Sequence, residues 1–270
     1  MALTAVNDRG LVLLGCGKMG SALLGGWLAN GVAPGAVWVI EPNPSDWLRG
    51  TGVHLNEGLP AAPAVALLAV KPQMMGAALP SLVALGNGST VFLSIAAGTR
   101  VSALAATLGE RTPIIRAMPN TPALVGRGMS VLIPGPGVAP AQMDLAEALM
   151  AAVGETRRLA DEALMDAVTA VSGSGPAYVF HLIEAMAAAG VAEGLDAETA
   201  MALARATVTG AGELAHRSPD SAEQLRVNVT SPGGTTAAAL RVLMAPDTGF
   251  PALLRDAVKA AADRGRELGA

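Results

Sequence analysis

The segment LVLLGCGKMG, residues 11–20, sets four apolar residues directly ahead of Gly15-x-Gly17-x-x-Gly20. A short run of branched apolar residues stopped by glycine reads as a strand buried on both faces. The glycine spacing then reads as the turn from that strand into a helix. Gly15 makes the tight turn, Gly17 lets main chain approach a pyrophosphate, and Gly20 lets helix and strand pack closely. As a bare string the spacing is weak, but between a strand and a helix it is the fingerprint of a dinucleotide site. Cys16, Lys18 and Met19 occupy the variable positions. Cys16 reads as a small buried spacer, because no neighbouring His or second Cys suggests redox work.

Working outward, the same alternation of short apolar run, turn and amphipathic stretch continues to about residue 155. Leu11 to Leu14, Val37 to Ile40, Val65 to Val70, Val91 to Ile95 and Ile114 to Met118 read as strands, with helices such as Ser21 to Asn30 and Val101 to Leu108 between them. Alternating strands and helices imply a parallel sheet covered by helices. After about residue 160 the strand-like runs stop. Helical windows replace them at Pro176 to Glu193, Asp196 to His216, Thr235 to Met244 and Phe250 to Leu268. The expected fold class is therefore α/β: a Rossmann-type, doubly wound parallel sheet over residues 1–157, then an all-helical domain over 158–270. Ala, Gly and Met lie on several faces of those later helices, so a partner subunit is expected to cover some of them in a homo-oligomer. The competing explanation is that Ala on an outer face reflects helix propensity alone.

Composition removes other classes. The chain has 270 residues, 51% of them hydrophobic, and a net charge of −4 with 15% charged residues. That suits a large core and gives no basic footprint for nucleic acid. One cysteine precludes an internal disulfide, and His54, His181 and His216 have no zinc-ligand spacing, so no metal is expected. The N-terminal residues carry no signal-peptide pattern, and apolar stretches elsewhere are interrupted by Gly, Pro or charge short of a membrane span. These features read as a cytoplasmic protein with no membrane segment.

Further contacts to a dinucleotide are expected at the carboxyl ends of the strands. Glu41 and Asn43, in Glu41-Pro42-Asn43-Pro44, follow the second strand. An acidic side chain there accepts hydrogen bonds from ribose hydroxyls and repels a 2′-phosphate, which tilts the choice towards NADH; the other reading is that Glu41 points to solvent. Ala69-Val70-Lys71-Pro72, Ile95-Ala96-Ala97-Gly98 and Met118-Pro119-Asn120-Thr121-Pro122 end the later strands. In the helical half, Asn228 to Leu240 reads NVTSPGGTTAAAL. Gly233 and Gly234 free the main chain ahead of a helix whose first N–H groups and dipole favour a small carboxylate, or else the segment is an ordinary turn and cap.

Taken in order, GCGKMG, AVKP, SIAAG, RAMPNTPALV, the SGSGPAYVF run from Ser172 to Phe180 and TSPGGTT resemble the pyrroline-5-carboxylate reductases, and the matches span nearly the whole chain. The resemblance implies hydride transfer from NADPH or NADH to the imine carbon of 1-pyrroline-5-carboxylate, giving L-proline in the last step of proline biosynthesis. It further implies that the N–H groups of Thr235 and Thr236 and the Ser231 hydroxyl hold the carboxylate, and that the Thr236 hydroxyl bonds the ring nitrogen as the catalytic group. Glu162 matches a residue on the substrate side, Asn228 a position that reaches the nicotinamide cofactor, and Asn56 an asparagine near the adenosine ribose. A dimer through the helical domain is implied, often within a ring of dimers. Two departures stand out: Val227 replaces a frequent acidic residue, and Glu41 replaces a small or polar one.

Other chemistries remain as alternatives. A β-hydroxyacid dehydrogenase would need a lysine on the long helix after the nucleotide domain, and Pro176 to Glu193 contains none. An imine reductase of different substrate is harder to exclude on residues alone. A non-catalytic NAD(P)-binding sensor would be marked by a damaged substrate loop, and TSPGGTT is intact.

Overall fold

Residues 2–269 are described by a computed structural model. They divide into two compact units, one of residues 2–173 with 261–269 and one of residues 174–260.

The first unit is built on an eight-stranded sheet: β1 (Leu11–Leu14), β2 (Val37–Ile40), β3 (His54–Leu55), β4 (Val65–Leu68), β5 (Val91–Ser94), β6 (Ile114–Met118), β7 (Gly128–Pro134) and β8 (Gly154–Arg158). Their order is β3-β2-β1-β4-β5-β6-β7-β8, with every pairing parallel except β6 with β7. This is the expected doubly wound arrangement. Both faces of the sheet are covered, because alternate residues of each strand enter opposite cores. Leu11 and Leu13 pack with Leu23, Leu24 and Trp27 on one face, while Val12 and Leu14 pack with Phe92, Leu82 and Leu104 on the other. The helices of this unit are α1 (Ala2–Arg9), α2 (Lys18–Ala29), α3 (Asp46–Arg49), α4 (Pro72–Ala78), α5 (Val101–Leu108), α6 (Pro140–Ala151) and α7 (Met165–Val168). The Trp27 indole, otherwise wholly buried, donates to the Leu149 carbonyl at 2.9 Å and so ties α2 to α6.

Strands β3, β7 and β8 extend the sheet beyond the five read from sequence. The edge strand β8 is polar and is held by α6: the Arg158 guanidinium donates to Asp144 at 2.7 Å and to Glu147, whose carboxylate also accepts from the Thr156 hydroxyl at 3.0 Å. Arg158 holds the Glu147 carboxyl below its ordinary range.

The second unit consists of α8 (Gly175–Ala192), α9 (Ala197–Arg217), α10 (Ala222–Asn228), α11 (Thr235–Leu243) and the first part of α12 (Phe250–Leu268). Gly194, at φ +100°, ends the α8 region, and the Asp196 carboxylate caps α9 by accepting from Thr199 N–H at 2.9 Å. The buried cluster of this unit is small: Ala187, Ala200 and Ala204, with Ile183 against it. Large apolar side chains stay exposed, among them Phe180 at 60% and Val242 at 70%.

The sequence also suggested that no apolar stretch reaches a membrane-spanning length, and here the structure differs. Helical residues run from Glu162 to Ala192, long and apolar enough to cross a bilayer by length and composition, and only 6% of the apolar window is buried. Gly173 and Pro176 do not break the run. A wider π turn over Thr169–Gly173 absorbs the change of pitch, and Pro176 stands in the first turn of α8, where its missing N–H costs nothing.

Candidate functional site

The parallel register brings the carboxyl ends of β1, β4, β5 and β6 to one edge, and the predicted loops gather there. Gly15 has φ +89°, and a Cβ on it would lie 2.9 Å from Val70 Cγ1. A Cβ on Gly20 would lie 2.6 Å from the Gly15 carbonyl oxygen. Both positions require glycine for packing. Gly17 differs, since nothing lies within 4 Å of its would-be Cβ. It leaves the start of α2 open, as the approach of a pyrophosphate to helix N–H groups demands. Lys18 opens α2, with Gly17 as its cap and no capping side chain.

Glu41 does not simply point to solvent. Its carboxylate accepts from Cys16 N–H at 2.8 Å and from Asn43 N–H at 3.0 Å, which joins the glycine loop to the end of β2. Asn56, at φ 55°, clamps the same residue from the other side: its Oδ1 accepts from Glu41 N–H at 2.9 Å, and its Nδ2 donates to the Glu41 carbonyl at 2.9 Å. Glu41, Asn43, Asn56 and Cys16 thus form one hydrogen-bonded network at the carboxyl ends of β1 and β2. Cys16 is buried, which pushes its thiol up in pKa. A hydrogen bond with Ser21 pulls it partly back and the Glu41 carboxylate adds to the rise, so it stays a protonated spacer.

Next to this network lies a cleft of ≈ 300 Å³ lined by Met19, Ala69, Val70, Lys71, Pro72, Ile95, Ala96 and Ala97, together with Met118, Pro119, Asn120, Thr121 and Gly173. Eight of the sequence-predicted cofactor residues therefore share one cavity. Asn120 is fixed at both ends: Nδ2 donates to the Ser172 hydroxyl at 3.1 Å, and Oδ1 accepts from Met129 N–H at 2.9 Å. The lining is mostly apolar, with Lys71 as its cation, and suits a flat, uncharged ring. Glu162 lies elsewhere in the unit, in a polar cavity of ≈ 290 Å³ shared with Arg100, Arg116, Asp166 and Arg266.

Ser231, Thr235, Thr236 and Asn228 belong to the second unit. Gly233 has φ +71°, and Gly234 N–H closes the turn onto the Ser231 carbonyl at 3.0 Å. Main-chain bonding of α11 begins with Ala238 N–H to the Gly234 carbonyl at 3.1 Å, and no side chain caps the helix. The first-turn N–H groups of Thr235, Thr236 and Ala237 precede that bond. Asn228 ends α10, where its Oδ1 accepts from Gln224 Nε2 at 2.7 Å. Among the described residues no group of three His, Cys, Asp or Glu could hold a metal ion.

A dinucleotide edge in one unit and an uncapped, glycine-fronted helix in the other can be compared with known proteins. A pyrroline-5-carboxylate reductase of Pseudomonas aeruginosa is 41% identical over 96% of this chain and 96% of its own. The chain belongs to the pyrroline-5-carboxylate reductase family. A model described as pyrroline-5-carboxylate reductase dimerisation matches residues 162–268, and one described as NADP oxidoreductase, coenzyme F420-dependent, matches residues 11–98. Among solved structures, a pyrroline-5-carboxylate reductase from Coxiella burnetii superposes with a TM-score of 0.90 at 35% identity, over 98% of this chain and 100% of that one. A Plasmodium falciparum family member with NADP bound gives 0.83 at 30% identity, over 98% and 99%. The dimerisation match covers the helical run that begins at Glu162.

Sequence reasoning missed the pairing of Arg116 with Glu162 and the clamp on Glu41. Both join residues distant in the chain, and no local spacing announces them.

Proposed function

We propose that this chain reduces the C=N bond of 1-pyrroline-5-carboxylate to L-proline, with NADH or NADPH as reductant and one proton taken up at nitrogen. The observation that carries the reading is the uncapped first turn of α11 behind Gly233 and Gly234, joined in one chain to the glycine-rich edge of the sheet. Bound reduced nicotinamide supplies the hydride. The protein binds and orients: Gly15 to Gly20 with Glu41, Asn43 and Asn56 hold the pyrophosphate and ribose side, and the cleft beside Ala69 to Pro72 and Ile95 to Ala97 holds the nicotinamide, with Asn228 as a further contact. Thr235 and Thr236 N–H and the Ser231 hydroxyl receive the substrate carboxylate, because unpaired helix donors and the dipole favour an anion. The Thr236 hydroxyl bonds the ring nitrogen as its charge and hydrogen-bond needs change during reduction. An imine accepts hydride readily once protonated, so alignment carries much of the rate and no strong acid or base is required.

Glu41 favours NADH. The working unit is a cytoplasmic homodimer formed through the helical residues 158–270, with residues 1–157 as the nucleotide half. The exposed apolar face of α8 meets a second subunit rather than lipid, and a ring of dimers would extend the same assembly. The test follows nicotinamide absorbance with NADH or NADPH and pyrroline-5-carboxylate, with NAD+ or NADP+ and a hydroxyacid, and with reduced coenzyme and no substrate. Oxidation with the first alone is the expected result. Turnover of the hydroxyacid, or none with any substrate, would reject the reading.

A further inference from the structure

Arg116 lies on the interior strand β6 and is 5% exposed, so its guanidinium needs an anion. Glu162 supplies it: Oε1 accepts from Arg116 Nη1 at 2.7 Å. The same oxygen accepts from the N–H of Val101, the first residue of α5, at 3.0 Å. That second bond has a clear physical reason. The N-cap of α5 is Arg100, which offers no capping bond, so a first-turn donor is left without a local partner. Glu162 caps the helix from 61 positions along the chain.

The segment that this cap ends is the cofactor loop. Residues 95–100 join β5 to α5, and Ile95, Ala96 and Ala97 line the nicotinamide cleft. At the strand end the loop is fixed by Ile95 N–H donating to the Leu68 carbonyl at 3.1 Å. Its helix end is fixed through Val101 by Glu162. Between them Gly98, at φ +74°, packs against the main chain of Leu268 and Gly269.

Resting on the reading of a nicotinamide-dependent reductase, we propose that Glu162 is a positioning residue for the cofactor loop: held by buried Arg116, its carboxylate fixes Val101 N–H and so the wall against which the nicotinamide lies. It acts on the coenzyme and not on the carboxylated substrate. Loss of the anchor leaves the helix end of the loop held only by Leu104 N–H on the Arg100 carbonyl at 3.3 Å and by the packing of Gly98.

Two substitutions separate this role from a purely structural ion pair. Glu162→Gln removes the charge that holds Arg116 and weakens the cap. Val101→Pro removes the donor together with the buried valine side chain of the second core, and Val101→Ala, which keeps the N–H while giving up that packing, is its control. Proline suits the first helical position, and the extended Arg100 ahead of it, at ψ 154°, is compatible with a following proline. The ion pair stays intact. The dissociation constant of NADH and NADPH is read from nicotinamide fluorescence without turnover, alongside KM for both substrates and a thermal melt. In Glu162→Gln and in Val101→Pro, but not in Val101→Ala, the coenzyme dissociation constant should rise about tenfold or more, the size expected for losing a hydrogen bond to a charged group. KM for pyrroline-5-carboxylate should stay within about twofold, and the double variant should bind coenzyme no worse than Glu162→Gln alone. Three results would overturn the proposal: coenzyme affinity unchanged by Val101→Pro, a lower melting temperature with unchanged binding, or a rise in substrate KM alone. If wild type binds coenzyme but reduces no pyrroline-5-carboxylate, the proposed reaction fails while the positioning role is still decided by the binding data.

Discussion

Glu41→Gln is the perturbation that best probes the coenzyme end of the site. The Glu41 carboxylate is held on Cys16 and Asn43 N–H groups, with its main chain clamped by Asn56, so it cannot swing away from an incoming ribose. A 2′-phosphate about 5 Å from it, in a water-like dielectric, feels roughly 0.8 kcal/mol of repulsion per unit charge. With about 1.5 to 2 charges on the phosphate, that becomes roughly tenfold against NADPH. A ribose hydroxyl donating to the ionised carboxylate contributes about 1.5 kcal/mol for NADH, another factor of roughly ten. Wild type should then prefer NADH by about ten- to a hundredfold in kcat/KM. Glutamine keeps an acceptor oxygen and loses the charge, so the preference should fall to within about threefold. Loosening of the glycine loop affects both coenzymes and cancels in the ratio, which makes the ratio the proper readout. Initial rates with each coenzyme, on wild type and variant side by side, measure it. A wild type that prefers NADPH, or a ratio untouched by Glu41→Gln, refutes the reasoning.

Other expectations concern distinct parts of the molecule. Thr236→Ala should lower turnover while coenzyme affinity stays nearly constant, and equal turnover would remove the hydroxyl from the reaction. Gly20→Ala places a Cβ 2.6 Å from the Gly15 carbonyl oxygen, so it should cost about 1–3 kcal/mol by overpacking, read by denaturant melts together with weaker coenzyme binding. The Glu147 carboxyl titrates below its ordinary value in the fold because Arg158 holds it. Its contribution is therefore present above the unfolded carboxylate pKa and lost as pH falls through the folded one. Arg158→Ala should flatten that acid limb in melting temperature against pH, with less than about 1 kcal/mol lost near neutrality because the cluster is solvated. Phe180→Asp puts a charge on an exposed apolar face of α8, and light scattering should show a smaller assembly than wild type.

The nucleotide half was legible because its signals are local. Each of β1, β2, β4, β5 and β6 is a short apolar run, and the glycine spacing of residues 15–20 stands where strand meets helix. Strand β8 escaped because GETRR has no apolar signature; it pairs at the sheet edge through main chain, with its charges turned to α6 and solvent. Strand β3 is two residues long, below any periodicity. The π turn before α8 hid for another reason: the sequence reads a helix start at Pro176, and the wider turn over Thr169–Gly173 ahead of it has no local spacing that announces it. At the site, the loops could be named from strand ends, whereas the clamp of Asn56 on Glu41 and the cap of Glu162 on Val101 arise only when distant segments meet.

The thin interior of the second unit has a consequence for how the protein can be handled. Three buried alanines and one isoleucine remove little apolar surface from water, and at about 25 cal/mol per Å² they stabilise a set of long helices only weakly. In the proposed dimer the subunit contact adds to this, which would make folding of these helices a mass-action quantity. Dilution then works as a mild denaturant: melting temperature should climb with protein concentration, and activity lost in a dilute assay should return on concentrating the sample.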